Sequence, residues 1–324
     1  MNASIIVPVF NARSTIRECI TSLKSQRFSG KFEIIVVDDG STDGTLEELE
    51  GMREIKIIRQ KNSGPASARN KGARNARYEI VAFIDADCVA SGTWLEEMVK
   101  PFSEKSVAGV QGAYRTKQKE FMARFSQIEI EYRYKKMLDS ERMDWIGSYS
   151  AAYRRSIFLK EQGFSREFRK ASGEDPDLSY KLSEKGYLLK FNPLAVVYHS
   201  HPVSIRDYLR RKYVHAFWRV LLYKKHSSKA AKDSYTPQPL KAQIGFLGLF
   251  FAFLGLSAIN ENSLFFALLC LFFFVFSTLP FVFFALKRGF LLGAASFFIL
   301  LARDTAFIAG LLKGTLCGIW RAKK

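Results

Sequence analysis

The first two hundred residues alternate short apolar runs with amphipathic stretches. Ser4–Val9, Glu33–Val37, Ile55–Ile58 and Ile80–Ile84 are dominated by Ile, Val and Phe and bounded by turn residues, which predicts four buried strands. A helix is expected from Ser14 to Ser25, and a second after the Asp38-Asp39-Gly40-Ser41-Thr42-Asp43-Gly44 turn, capped by Ser41, Thr42 or Asp43. Gly64-Pro65-Ala66-Ser67-Ala68-Arg69-Asn70-Lys71-Gly72 opens a third, with small residues that permit close packing on a sheet. This order predicts an α/β fold with a mainly parallel sheet and ligands at the carboxyl ends of the strands. Phe121–Leu138 mixes aromatics and charges at helical spacing, and Glu174-Asp175-Pro176-Asp177-Leu178 opens a helix anchored by Leu178 and Leu182.

The pattern changes near residue 240. Ala242–Ile259 and Ser263–Leu286 carry no charge, and at ~1.5 Å rise per residue each is long enough for a ~30 Å hydrocarbon core. Transmembrane helices are expected at about 242–259 and 263–286. Arg303-Asp304 and Lys313 interrupt Gly289–Trp320, so 289–320 is either a third span with a buried ion pair or an interfacial hairpin. Ahead of them, Ile205–His226 interleaves Arg206, Arg210, Arg211, Lys212, Arg219, Lys224 and Lys225 with Tyr208, Tyr213, Phe217 and Trp218. That composition predicts a basic amphipathic helix at a lipid headgroup layer. The expected organisation is a catalytic domain over 1–203, a basic interfacial segment over 204–241 and a membrane domain over 242–324.

Charge narrows the partners. The 49 Lys+Arg against 31 Asp+Glu give a net +18, which calls for an anionic partner. The basic helix stands directly before apolar spans, so anionic lipid accounts for the balance and nucleic acid is not needed. Positive-inside reasoning sets the expected topology. The segment through Lys241 and the Lys287-Arg288 turn lie in the cytosol, Asn260-Glu261-Asn262 lies outside, and Arg321-Ala-Lys-Lys324 favours a cytosolic end. The expected location is a cell membrane, multi-pass, with the catalytic domain on the cytoplasmic face. Cys19, Cys88, Cys270 and Cys317 show no CxxC spacing and read as reduced thiols; the strand-like start predicts no cleavable signal peptide.

The candidate chemistry sits where Ile80–Ile84 runs into Asp85-Ala86-Asp87. Two hard oxygen ligands at a strand end suit Mg²⁺ or Mn²⁺ holding a diphosphate, and Ala86 lets a ligand approach. A polar strand exit would look the same, but Asp38 and Asp39 end a neighbouring strand on the same edge.

Val7-Pro8-Val9-Phe10-Asn11, Val36-Val37-Asp38-Asp39-Gly40-Ser41-Thr42-Asp43, Ala68-Arg69-Asn70-x-Gly72, Asp85-Ala86-Asp87 and Gly173-Glu174-Asp175-x-Asp177-Leu178 occur in order over about 200 residues. Together they resemble the inverting family-2 glycosyltransferases with the GT-A, Rossmann-like fold. The resemblance implies that Pro8 and Phe10 frame a nucleoside pocket and that Asp39 accepts a hydrogen bond from the base. Asp38, Arg69 and Asp85 would complete the donor site, Asp38 serving equally well as a turn cap. Asp87 would be a metal ligand, with Asp85 supporting the metal's water shell or the ribose, and His199 of Val197-Tyr198-His199-Ser200-His201 a further candidate. Asp175 would be the general base, with Glu174 and Asp177 orienting or capping. Ala12 replaces the acid usual after the first motif's Asn, and Gly147-Ser148-Tyr149 replaces the usual Gly-x-Asn, so acceptor contacts do not transfer.

These features predict transfer of sugar from a UDP- or GDP-sugar to a lipid-linked or membrane-proximal hydroxyl. A polyprenyl-phosphate sugar synthase is the first alternative, although its ionised acceptor needs no base such as Asp175. A processive polysaccharide synthase would call for more spans and a Gln-x-x-Arg-Trp motif. A non-catalytic nucleotide-sugar binder would have no use for acids at all three positions.

Overall fold

Ile5, Ile6 and Val7 are buried on β1 (Ala3–Val9) because helices cover both faces of the sheet. On one face, α1 (Ile16–Lys24) sets Ile16, Cys19, Ile20 and Leu23 against Ile5 and Val7. On the other lies α3 (Pro65–Asn75), begun by Pro65. A Cβ on Gly72 would come within 2.4 Å of Ile6, so glycine there lets the helix sit close to the strand. The computed structural model describes all residues except 169–172, 232 and 318–324.

β1 pairs in parallel with β2 (Phe32–Asp38) and β4 (Ile80–Ile84), and β2 with β3 (Lys56–Arg59). α2 (Thr45–Glu50) connects β2 to β3. These four strands are the parallel half that the apolar runs predict. The other half is mixed: β5 (Cys88–Ala90), β6 (Val107–Arg115), β7 (Ser150–Arg154) and β8 (Leu188–His199) extend the order to β3-β2-β1-β4-β7-β6-β8-β5. β7 runs antiparallel to β4 and β6, β5 runs antiparallel to β8, and β6 is parallel to β8. Gly109 and Gly112 break the apolar run of β6, and β5 is three residues long, which is why this half carries little signal in the sequence. α4 (Trp94–Val99) covers it, with the Trp94 indole donating to Ser150 Oγ at 2.9 Å.

Two registers matter for the site. The β5–β8 pairing sets Cys88 opposite His199, one residue beyond Asp87. The β4–β7 pairing sets Ile84 opposite Ser150, just past Gly147-Ser148-Tyr149.

Met1–Gln118 and Met137–His201 form one compact unit; Lys119–Lys136 and Pro202–Lys324 form a second. The first unit therefore omits most of α5 (Phe121–Leu138), which the sequence pattern places within 1–203. It includes α6 (Arg155–Lys160) and α7 (Glu174–Glu184).

The second unit adds α8 (Ile205–Lys225), α9 (Ser227–Ala231), α10 (Gln238–Leu256), α11 (Asn262–Leu286) and α12 (Phe290–Leu316). Helices α10, α11 and α12 are long and apolar enough to cross a membrane. The third is one continuous helix of 27 residues with no hairpin in it. Its Arg303-Asp304 pair is satisfied internally: Arg303 donates to Asp304 Oδ1 at 2.8 Å, to Glu129 Oε1 of α5 at 3.0 Å and to Gln243 Oε1 of α10 at 2.7 Å. Lys212 and the Tyr208 hydroxyl of α8 donate to the other Glu129 oxygen. Lys212 and Tyr208 thus face protein, although composition places them among the headgroup-facing residues. A Cβ on Gly310 or Gly314 would meet the backbone carbonyl of Tyr213 at 2.3 Å or of Phe217 at 2.7 Å, so this small-x-x-x-small step lets α8 lie directly on α12. The basic tail Arg321-Ala-Lys-Lys324 lies outside the described residues.

Candidate active site

The carboxyl ends of β1, β2 and β4 open onto a cleft of about 660 Å³, lined by Pro8, Val9, Phe10, Asn11, Asp39, Asn62, Gly64, Pro65, Arg69, Asp85, Ala86 and Asp87 among others. Phe10 is half exposed at its rim, and Pro8 lies in the wall. Asp39 is buried, and its carboxylate accepts from the Ser63 amide at 2.8 Å, the Gly64 amide at 2.8 Å and Gln60 Nε2 at 2.7 Å. It therefore shapes the loop before α3 as well as lining the cleft. Asp38 is absent from the lining and accepts from the Ser41 amide at 3.1 Å, the turn-cap role. Asn11, at φ 51°, accepts the Thr42 amide, while Asp43 accepts the Arg13 amide and the Thr45 amide, the helix N-cap itself being Gly44 and not the expected Ser41, Thr42 or Asp43. The acids and hydroxyls of residues 38–45 thus tie the two strand-end loops together.

Arg69 stands at the centre. It is buried and donates to Asp85 Oδ1 at 2.7 Å and to Glu174 Oε1 at 3.1 Å. One guanidinium thereby joins the end of β4 to the first turn of α7, whose start is marked by Gly173. Asn70 holds the neighbouring loop with a reciprocal pair of bonds to the Phe164 backbone, 2.7 and 2.9 Å. Glu174 is 1% exposed and also accepts from the Gly173 amide, so it positions Arg69 and the helix start.

Asp175 is placed differently from its neighbour. Its Oδ2 accepts from the Ser148 amide at 3.0 Å, and its buried Oδ1 has no hydrogen-bond partner. Burial, and then the Glu174 carboxylate, push Asp175 up to about 7, against the pull of Arg69 and the Ser148 amide. A carboxylate with one orphaned oxygen and a raised proton affinity is equipped to accept a proton near neutral pH.

Asp87 lies on the cleft side, with its side chain 51% exposed. Its Oδ1 is 3.5 Å from His199 Nδ1 and 3.6 Å from Cys88 Sγ, and Sγ is 3.8 Å from that nitrogen. Among the described residues, Asp87, Cys88 and His199 are the group with metal-ligand spacing. Asp85 falls outside it, one of its oxygens being taken by Arg69. The His199 ring stacks on Tyr114 at 4.8 Å, and Tyr114 stacks on Tyr149 at 3.6 Å. The Tyr149 hydroxyl accepts from Gln111 Nε2, and Gln111 Oε1 accepts the Gly147 amide. An aromatic column therefore runs from His199 to the loop that contacts Asp175.

Sequence reading finds the acids and leaves out this column, the Ser148 amide and Cys88. Strand alternation would have flagged Cys88 only if β5 had been recognised.

Residues 4–160 match the family model described as Glycosyl transferase family 2. A pre-mycofactocin glycosyltransferase of Mycobacterium tuberculosis is 29% identical over 239 residues, or 71% of this chain and 49% of that protein. Glycosyltransferase AglE of Haloferax volcanii is 36% identical over 116 residues, 34% of this chain and 38% of AglE. The chain thus spans about half, or less, of the length of these curated relatives. The structure of the mannosyltransferase PcManGT from Pyrobaculum calidifontis, in complex with GDP-Man and Mn²⁺, matches with a TM-score of 0.64 at 22% identity. That match covers 98% of this chain and 87% of the other, a likeness of fold.

Proposed function

We propose that this chain, residues 4–160 of which match the glycosyl transferase family 2 model, is a membrane-associated inverting glycosyltransferase. It moves a sugar from a UDP- or GDP-sugar to a lipid-linked or membrane-proximal hydroxyl. The observation that carries the reading is Asp175, with its orphaned Oδ1 and raised proton affinity, wired through Glu174 and Arg69 to the acid at the end of β4.

The nucleoside enters beside Pro8 and Phe10, with Asp39 at the floor and Arg69 and Asp85 toward the sugar. Mg²⁺ or Mn²⁺ fits Asp87, which reaches the cleft with an exposed carboxylate, and His199 adds a nitrogen donor 3.5 Å away. When bound, the cation supplies positive charge against the departing diphosphate. Asp85 is better assigned to holding Arg69 than to the cation.

Asp175 does the remaining work. The acceptor oxygen bonds to the anomeric carbon from the side opposite the diphosphate, the carbon–diphosphate bond breaks, and the hydroxyl proton passes to Asp175 Oδ1. The sugar is inverted and no covalent enzyme intermediate forms. Burial makes the protonated carboxyl the comfortable state, which favours proton acceptance as charge shifts to the leaving group.

Three apolar helices and a basic α8 support an acceptor held at a membrane. The Lys and Arg of α8 and Lys287-Arg288 favour a cytosolic catalytic unit, with Asn260-Glu261-Asn262 on the far side. On this reading the chain comprises a catalytic part up to about 203, a basic segment and a membrane part from 242. The test is to incubate membranes containing the full chain with a panel of UDP- and GDP-sugars. Nucleotide release coupled to a glycosylated lipid, identified by mass spectrometry, supports the reading; no turnover of any donor, with or without membrane lipid, contradicts it.

A further inference from the structure

The donor-site acid Asp87 has a sulfur beside it that no role in sugar transfer requires. Cys88 Sγ, Asp87 Oδ1 and His199 Nδ1 form a triangle with edges of 3.5, 3.6 and 3.8 Å. Bonds of about 2.0–2.3 Å at a tetrahedral angle put neighbouring donors roughly 3.3–3.6 Å apart. An octahedral Mg²⁺, with bonds of 2.0–2.1 Å, puts neighbouring oxygens only ~2.9 Å apart. The observed triangle is therefore closer to one face of a tetrahedron.

The positions are held by the fold. The β5–β8 register sets Cys88 against His199, Cys88 is fully buried, and Tyr114 stacks on the imidazole. Asp87 is exposed on the cleft side, so the oxygen corner of the triangle is the one that meets the cleft.

We propose that Cys88 makes this a mixed sulfur, nitrogen and oxygen site that takes a borderline or soft divalent cation, Zn²⁺, Co²⁺ or Cd²⁺, in preference to Mg²⁺. Sulfur raises affinity for such cations and adds little for hard ones. As the sulfur–metal bond forms, the thiol proton passes to solvent. The inference rests on the reading of Asp87 as a cation ligand and adds the choice of cation. Cations of this class compete with Mn²⁺ for the same acid.

The experiment uses the full chain in detergent, stripped of metal by chelator and titrated with Cd²⁺ and Zn²⁺. Wild type is expected to show ultraviolet thiolate-to-Cd²⁺ charge transfer that Cys88→Ser loses. Cys88→Ser should bind Zn²⁺ about tenfold or more weakly by calorimetry, a loss of ~1.4 kcal/mol or more, and Mn²⁺ with a smaller loss. Equal charge transfer and equal Zn²⁺ affinity in the two proteins would overturn the proposal. Should Cys88→Ser fail to fold, X-ray absorption of Zn²⁺-loaded wild type decides: a sulfur neighbour at about 2.3 Å supports it, and a shell of only oxygen and nitrogen refutes it. Asp87→Asn keeps the two ideas apart. Unchanged Mn²⁺ affinity in that variant defeats the cation role of Asp87, whereas normal loss of Mn²⁺ binding with no sulfur signal in wild type defeats Cys88 alone.

Discussion

Arg69 Nη1 lies 3.1 Å from Glu174 Oε1, with side chains 4% and 1% exposed, while Nη2 of the same guanidinium reaches Asp85 Oδ1 at 2.7 Å. Two acids 89 positions apart in the chain are thus held by one cation, and Asp175 follows Glu174 into place.

Removing that cation should be costly. Arg69→Met leaves Glu174 buried without its counter-ion, and breaking a buried pair costs about 3–5 kcal/mol. The unfolding midpoint in urea should fall accordingly, and Glu174→Gln in the Arg69→Met background should recover part of the loss. Independent, additive effects of the two substitutions would show that the pair is not coupled.

The membrane-side unit offers a different test. Gly310 and Gly314 admit the α8 backbone, so Gly310→Leu should separate α8 from α12 and with them the Lys212–Glu129 and Arg303–Glu129 contacts. Thermal denaturation of the full chain in detergent should drop by several degrees, and Gly255→Leu, whose added Cβ meets nothing within 4 Å, should not change it. Equal melting temperatures for wild type and Gly310→Leu would contradict the packing role.

The basic helix divides into two kinds of charge. Arg210 and Arg211 are exposed, whereas Lys212 is bound to Glu129. Arg210→Gln with Arg211→Gln should weaken hold on anionic lipid by about 1 kcal/mol per charge, roughly 30-fold together. Mass spectrometry of phospholipid retained through detergent extraction measures it. Lys212→Gln should instead lower the melting temperature, because Glu129 loses a partner. Lipid loss from Lys212→Gln alone, with no change in melting, would reverse the assignment.

Much of this was legible from residue pattern. The β-branched runs of β1 to β4 announce the parallel half, and Asp39, Asp85, Asp87, Asp175 and Arg69 are marked by turn chemistry and motif. The mixed half was not, because β5 is short and Gly109 and Gly112 dilute β6. Composition also misplaced Lys212 and Tyr208: a Lys beside aromatics reads the same whether it meets a phosphate or a buried Glu129. Likewise, Asp38 and Asp39 look equivalent in sequence, yet one caps a turn and the other lines the cleft. Nor can spacing reveal that Asp85 is occupied by Arg69, since the partner comes from another helix.

Asp175 carries the account, and its proton affinity has two consequences. Folding raises it from 3.8 to about 7, so the folded state holds the proton more tightly than the unfolded one. Stability from this group is present below about 4 and is lost as pH rises through about 7, whereas a base needs the ionised form. Turnover should therefore fall as pH drops through about 7. Asp175→Asn should melt higher than wild type at pH 8 and flatten this acid limb.

The most direct measurement compares wild type and Asp175→Asn for donor dissociation constant and for the rate of lipid glycosylation. Asn keeps the size of the side chain and removes its basicity. A general base contributes typically ~10²–10⁴-fold, so the rate should fall by that order while donor affinity barely changes. A rate within a few-fold of wild type would contradict Asp175 as the base and favour an acceptor that arrives already ionised, such as a polyprenyl phosphate.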